Sequence, residues 1–599
     1  MLTTLTSENF DTTVDCLFGT HNSMTEIVMS QTPPILHGPS EKERKYDRQL
    51  RLWAASGQAA LESANILLVN SGAGTVGAET LKNLVLPGIG RFAIYDEARV
   101  SEADLGVNFF LDDSCLGTSR AQSLTELILE LNPDVQGSWY PNEDTKTLDS
   151  LLNDSPVFTI IMYTHPIRPE QLSRLEAYGQ QHKTPLVAIH SAGFYSYFQI
   201  NLPGAFPIVD THPDETATTD LRLLNPWPEL VAFAEELTKD IDGLDNFEHG
   251  HLPYVVILLY YLEQWKAAHD GNYPTAFKEK AEFRKIVQAA ARTNNPEGGE
   301  ENFEEAAAAV VKTVVRPSLP SGLKEVFEYE HTDPIEQRSG FWLIADAVKK
   351  FYEEHQCLPL PGKLPDMKAQ SKVYIQLQGI YKAKARKDAA KILEIVQASP
   401  GGEHVNPAEV DLFCKNAAFV KLINATGGGA TSSGAKISRA DRLKAAADRE
   451  FANDETAAFS LSPLSLLPIY LALQATAHVG LPTATATTTA TTNPKAEAEA
   501  KQQEAAATAD NNDNSGGFNA DAILAAVAQA VPGAEKREGV VQAAHEVARA
   551  AGGELHNVAA LTGGMVAQET IKIVTKQYIP ADNTCVYDGI GGRVQVLRL

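Results

Sequence analysis

Between residues 65 and 214, short apolar runs alternate with amphipathic segments, and this alternation limits the possible folds more than any other feature of the chain. "NILLVN" (65–70), "RFAIYD" (91–96), "FTIIMY" (158–163) and "PLVAIH" (185–190) have the length and branched apolar content of buried strands. "TVGAETLKNLVL" (75–86), "SRAQSLTELILEL" (119–131) and "PEQLSRLEAYGQQH" (169–182) have helical periodicity. Strand and helix in succession imply right-handed crossovers onto a mostly parallel, doubly wound α/β sheet. "YFQINL" (197–202) alternates apolar and polar residues and is expected to extend that sheet.

From about residue 219 the segments become mainly helical, with Pro- and Gly-containing loops between them. A helical insertion is expected over 219–481, following a first α/β part at 41–218. Residues 482–517 are Ala/Thr-rich and then polar, a low-complexity linker with nothing to build a core from. "NTCVYDGIGGRVQVLRL" (583–599) reads as two strands around a Gly-rich turn. The stretch 518–599 is therefore expected to return and complete the sheet. Residues 1–40 read as a disordered Ser/Thr-rich extension without a signal-peptide pattern, and Met29 is a second candidate start.

The net charge of −25 argues against nucleic acid or an anionic membrane as a partner, since phosphate contacts need clustered Lys and Arg. Five cysteines without a C-x-x-C predict a reducing compartment and no cysteine-rich metal site. "YVVILLYYL" (254–262) is too short to span a bilayer. A cytoplasmic or nuclear location is expected.

Gly72, Gly74 and Gly77 have G-x-G-x-x-G spacing between the first strand and helix, and Asp96 ends the next strand. Such glycines let a backbone approach phosphates at a helix N-terminus while the carboxylate binds a ribose hydroxyl. They equally serve to tighten a turn and pack a helix on a sheet, and the pattern alone leaves both open. Upstream, "KYDRQLRLW" (45–53) places Arg48 and Arg51 one helical turn apart, with Tyr46, Leu50 and Trp53 as an apolar stripe. Ser40 and Glu43 have capping-box spacing, so a helix is expected to start near 41. Helix pattern alone makes these arginines a solvated face.

"KYDRQLRLW", "LKNLVLPGIG", "LELN" and "ELHNVAALTGGMVAQETIKIVTKQYI" together resemble the ThiF/MoeB-like adenylation fold of ubiquitin-like-protein activating enzymes. "HPD" (212–214), "ENFEEA" (301–306) and "LPDMKAQSKVYIQLQGIYKAKARKDA" (364–388) further resemble the regulatory subunits of heterodimeric neddylation-modifier activating enzymes. Active members of the fold resemble the pattern D-x-D, S-N-x-x-R-Q, then a lysine. Here "DEARVSEADLGVNFFLDDSCLGTSRAQ" keeps Asp96 but has Ala98 for the second aspartate. Asp104 replaces the Asn, Val107 the Arg, Asn108 the Gln and Arg120 the lysine. Losing a phosphate-facing cation and gaining a carboxylate opposes ATP binding, so the resemblance implies a pseudo-adenylation domain. Because the glycine set is intact, Gly72, Gly74, Gly77 and Asp96 remain candidates for vestigial nucleotide contacts.

The resemblance further implies that Arg48 acts in trans on phosphate in the catalytic subunit's ATP site. ATP and Mg²⁺ would lie in that subunit, with no cofactor and no metal in this chain. The pair would adenylate the modifier, load it on the partner's cysteine and pass it to a conjugating enzyme. Cys414 and Cys585 read as buried small hydrophobes rather than nucleophiles, and His249, His251 and His556 have no metal-ligand spacing. Two other readings are a SUMO-type activating subunit, which is expected to lack the 220–475 motifs, and a stand-alone dinucleotide-dependent oxidoreductase, which needs a substrate domain that the chain does not display.

Overall fold

The computed structural model describes residues 38–145, 147–213, 219–293, 298–331, 334–335, 338–423, 438–460, 462–477 and 519–599. The expected N-terminal extension, up to residue 37, and the 482–517 linker lie outside the described residues.

Eight strands form one sheet in the order β10-β9-β6-β5-β4-β1-β2-β3. Five are parallel: β1 (Asn65–Val69), β2 (Arg91–Tyr95), β3 (Gln136–Tyr140), β4 (Ile160–Thr164) and β5 (Leu186–Ala192). β6 (Tyr195–Asn201) runs antiparallel beside β5. β9 (Thr584–Asp588) and β10 (Arg593–Leu597), the expected C-terminal hairpin, pair on β6 and complete the sheet. β3 was not among the expected strands. "QGSWY" lies at the sheet edge with partly exposed side chains, so it lacks the apolar run that marks the others.

Alternation along β1 shows why the sheet is covered on both faces. Ile66 and Leu68 point into a core formed with helices α2 (Asp47–Ser63), α3 (Thr75–Val85), Arg120–Leu129 and His556–Thr575. Leu67 and Val69 point into the opposite core, with helices Leu148–Asp154 and Pro169–His182. A Cβ on Gly563 would lie 2.8 Å from the backbone N of Thr80, so the C-terminal helix packs against α3 at a separation only glycine permits.

The helical insertion leaves the sheet through β7 (Phe206–Val209) and returns through β8 (Val420–Ile423), an antiparallel pair of its own. Its helices form two cores separate from the sheet's, one around Val255, Phe283 and Phe303 and one around Leu343, Ile392 and Phe413. Residues 439–475, which the sequence reading places in the insertion, pack elsewhere. Helices Arg439–Ser460 and Leu467–Ala475 share a core with Tyr195, Tyr197, Val586 and Leu597 at the β6/β9/β10 end of the sheet. The apolar run 466–473 needs a face to cover, and the antiparallel end of the sheet supplies it.

At the N-terminus the expected capping box forms: Ser40 Oγ accepts from Glu43 N, and Glu43 reaches back to Ser40 N. The expected single stripe of Tyr46, Leu50 and Trp53 does not lie on one helix. Tyr46 separates α1 (Glu41–Lys45) from α2, and Trp53 (φ −125°, ψ 18°) and Ala54 (φ 55°, ψ −177°) break α2 after one and a half turns. Trp53 is still buried, because the break turns its indole toward Gln58, whose Oε1 accepts from Nε1 at 3.2 Å.

Candidate functional site: a glycine loop closed by its own side chains

β1 sits between β2 and β4, where the strand order reverses, and the loop after it leads into α3. In doubly wound sheets this crevice is the usual place for a ligand. Gly72 (φ 62°) and Gly74 (φ 68°) make the turn in the left-handed region, and Gly74 is the residue before α3. A Cβ on Gly72 would lie 2.7 Å from Pro166 Cδ. One on Gly74 would lie 2.3 Å from Asn70 Nδ2, and one on Gly77 2.5 Å from Asn70 Oδ1. All three glycines are thus required by contacts inside the chain, whatever the loop binds.

Asn70 is the hub of those contacts. Its Nδ2 donates to Asp96 Oδ2 at 2.9 Å, and its Oδ1 accepts from Thr164 Oγ1 at 3.3 Å. Asp96, the expected ribose ligand, is buried and accepts from Ala98 N at 3.0 Å as well. Its main partner is Arg120. Arg120 Nε and Nη2 donate to the two Asp96 oxygens at 2.7 and 3.1 Å. Nη1 donates to Asp104 Oδ1 at 2.9 Å and to the carbonyls of Gly72 and Ala73 at 2.9 and 3.2 Å. Burial opposes the charge of Arg120, but Asp96 and Asp104 hold its pKa above the ordinary value. Burial also pushes Asp104 upward, yet the bonds from Ser101 and the charge of Arg120 bring it below the usual carboxylate range. Two of the five departures from the active pattern, Asp104 and Arg120, therefore form an ion pair with each other.

A second closing group comes from 478 residues further along the chain. Glu554 Oε2 accepts from Val76 N at 3.0 Å, in the first turn of α3, where backbone N–H groups and the helix dipole favour an anion. Glu554 is buried, which pushes its pKa up to about 7 against the hydrogen bonds from Val76 and Thr75. No local sequence signal marks this residue, since its role depends on a contact between the two halves of a split domain. Beside it, His556 stacks on Phe109 with ring centroids 3.6 Å apart, and its Nδ1 lies 3.0 Å from Val107 O.

Two features of the loop oppose a nucleotide. Both oxygens of Asp96 are engaged by Arg120, and a carboxylate of the chain itself stands at the α3 N-terminus, where phosphates would need to lie. The candidate nucleotide set of Gly72, Gly74, Gly77 and Asp96 is brought together by the fold, but around Asn70 and Arg120.

Arg48 stands apart from this cluster. It is exposed in the first turn of α2 and has no hydrogen bond or ion pair among the described residues. Arg51 pairs with Asp47 at 3.0 Å across one turn. Among the cysteines, burial pushes Cys414 up to about 12 and Cys585 up to about 11, so both are protonated at neutral pH. Among the described residues no cluster of His, Cys, Asp and Glu could hold a metal, and no helix is long and apolar enough to cross a membrane.

The model of the ThiF family matches residues 46–599, which span the split, doubly wound sheet and its glycine loop. The chain belongs to the ThiF family. Within it, the chain belongs with the NEDD8-activating enzyme E1 regulatory subunits. It is 34% identical to that protein of Danio rerio over 572 residues, covering 92% of this chain and 97% of the relative. It is 31% identical to that of Drosophila melanogaster over 95% of this chain and 100% of the relative. The relative AXR1 of Arabidopsis thaliana is 29% identical over 93% and 97%.

Proposed function

We propose that this chain is the non-catalytic half of a heterodimer that activates NEDD8, and that it contributes one arginine to a reaction carried out in its partner. The observation that carries this reading is the Arg120–Asp96–Asp104 cluster, which leaves the chain's own glycine loop with no free ribose ligand and no phosphate-facing cation. The catalytic subunit binds ATP and Mg²⁺ and adenylates the modifier's C-terminal glycine. The modifier then moves to a cysteine of that subunit and on to a conjugating enzyme. The protonated, buried Cys414 and Cys585 fit a chain that forms no thioester.

Arg48 would reach into the partner's site, where a guanidinium binds two phosphate oxygens at once and stabilises charge on departing pyrophosphate. Its exposure and lack of a partner among the described residues favour that role over Arg51, which is engaged with Asp47. The test is ATP–pyrophosphate exchange with NEDD8, using the chain alone, the catalytic subunit alone and the two together. Exchange that requires both is expected. Exchange by this chain alone, above a no-enzyme control, would refute the reading.

A further inference from the structure

One surface of this acidic protein is strongly basic. Where the sheet domain meets the insertion, two adjoining cavities of about 490 and 640 Å³ form a single groove, sharing Pro361, Lys363 and Lys415 in their walls. Arg51 lines one end, Lys382 and Arg386 the other, and among the described residues Asp411 is the only carboxylate along it. With Arg51 already paired to Asp47, four remaining cations face one carboxylate among the described residues, which reverses the balance of a chain with 51 Lys and Arg against 76 Asp and Glu. Lys363, Lys382, Arg386 and Lys415 are exposed and have no ion pair among the described residues; Lys382 bonds only the neutral Gln378. Elsewhere on the surface Lys and Arg are commonly paired, as in Lys42–Glu62, Lys45–Asp134 and Lys368–Glu301. Clustered like charges repel, so an unpaired row of this kind is complementary to an anionic partner.

We infer that this groove seats an acidic, extended segment of the catalytic partner subunit, with apolar side chains between its carboxylates. The inference rests on the heterodimer proposed above. Three observations support it. The first is the charge. The second is the apolar wall between the cations, where Pro361 and the half-exposed Leu52 suit apolar side chains rather than a bare polyanion. The third is continuity: Arg51 at the mouth of the groove lies one turn from Arg48 on α2, so a subunit that receives Arg48 passes this mouth. Cations spread over two adjoining cavities favour an extended stretch of chain over a compact ligand.

Carbodiimide cross-linking tests this directly, because it joins a lysine amine to a carboxylate only where the two touch. In the assembled pair, Lys363, Lys382 or Lys415 is expected to link to Asp or Glu residues of the catalytic subunit. If the pair forms and these lysines stay unlinked, the inference is overturned while the heterodimer reading stands. It is equally overturned if they link only to Glu8, Asp11, Asp15 or Glu26 of this chain's own N-terminal stretch. Failure of the two chains to pair at all overturns the heterodimer reading and this inference with it. As a second readout, K382E/R386E changes two exposed side chains and should slow association with the catalytic subunit about tenfold at low salt, with the difference shrinking at high salt. Association rates equal to those of the unaltered chain at low salt would contradict the proposal.

Discussion

Arg120 and Asp96 meet side by side, with two guanidinium nitrogens donating to two oxygens of one carboxylate at 2.7 and 3.1 Å, and both side chains almost wholly buried. A planar fork suits this geometry and a lysine does not. The position that carries a phosphate-binding lysine in the resembling active pattern has thus become structural. Its charge is spent inward on Asp96, Asp104 and two loop carbonyls.

Arg120→Ala should therefore be strongly destabilising, because it leaves two buried carboxylates without a counterion. A loss of about 3–5 kcal/mol is expected in urea unfolding of the full chain. Arg120→Lys should recover only part, since one ammonium cannot make the two-point contact. Adding Asp96→Asn and Asp104→Asn to Arg120→Ala should restore stability relative to the single variant, because the orphaned charges are removed. Equal stability of Arg120→Ala and the unaltered chain would show that the cluster carries no such load.

Gly77 separates packing from nucleotide binding. It lies inside α3, where Ala alone would stabilise a helix by about 1 kcal/mol relative to Gly. Here the added Cβ would come within 2.5 Å of Asn70 Oδ1, and that amide is fixed by Asp96 and Thr164. Gly77→Ala should cost about 1–3 kcal/mol by overpacking. In an Asn70→Ala background the closest obstacle is gone and only the Leu68 methyls at 3.1 and 3.2 Å remain, so the same substitution should cost clearly less. A double-mutant cycle read by thermal unfolding checks the sign of the coupling.

The sheet was legible in the sequence wherever burial on both faces demands an uninterrupted apolar run, as in β1, β2, β4 and β5. It was not legible in β3, whose edge position lets Gln136 and Ser138 stand in a strand. Local pattern also misplaces 439–475, since a helical segment reads alike whether it packs on other helices or on a sheet. At the site, the glycines and Asp96 were visible by spacing, but their use was not. Spacing cannot distinguish a glycine that admits a phosphate from one that admits Asn70. Glu554 was invisible for a different reason: it acts on a helix 478 residues away, and no local pattern reports such a contact.

Glu554 makes stability depend on pH in an unusual direction. Its folded pKa, about 7, lies above the ordinary 4.5, so the folded state holds a proton that the unfolded state releases between those values. Its contribution is fully present below about pH 4.5 and is lost as pH rises toward and through about 7. The span corresponds to a contribution on the order of 3 kcal/mol. Glu554→Gln keeps an acceptor for Val76 N and cannot ionise. The variant should match the unaltered chain near pH 5 and be the more stable of the two at pH 8. Parallel stability–pH curves for the two proteins would mean that Glu554 does not titrate in this range.

Arg48→Ala separates the two arginines at the start of α2. The helix should survive, because Ala is a strong helix former and the buried anchors Tyr46 and Trp53 are untouched. Assembly with the catalytic subunit should survive too, since one exposed side chain is a small part of a permanent interface. Adenylation should fall, because a cation is lost where charge develops on the phosphates. Removal of such a donor costs on the order of 10²-fold in rate, or roughly 3 kcal/mol. Arg48→Lys should restore part of the rate and not all of it, as an ammonium supplies charge without the planar fork. The measurement is pyrophosphate exchange by the assembled pair at saturating NEDD8 across ATP concentrations, with Arg51→Ala as the control. Arg51 already has Asp47 as its partner, so its removal should leave exchange within about twofold, far short of the loss of a transition-state donor. If Arg51→Ala abolishes exchange while Arg48→Ala does not, the trans-acting arginine is Arg51. If neither changes the rate, α2 serves the pair only as a point of contact.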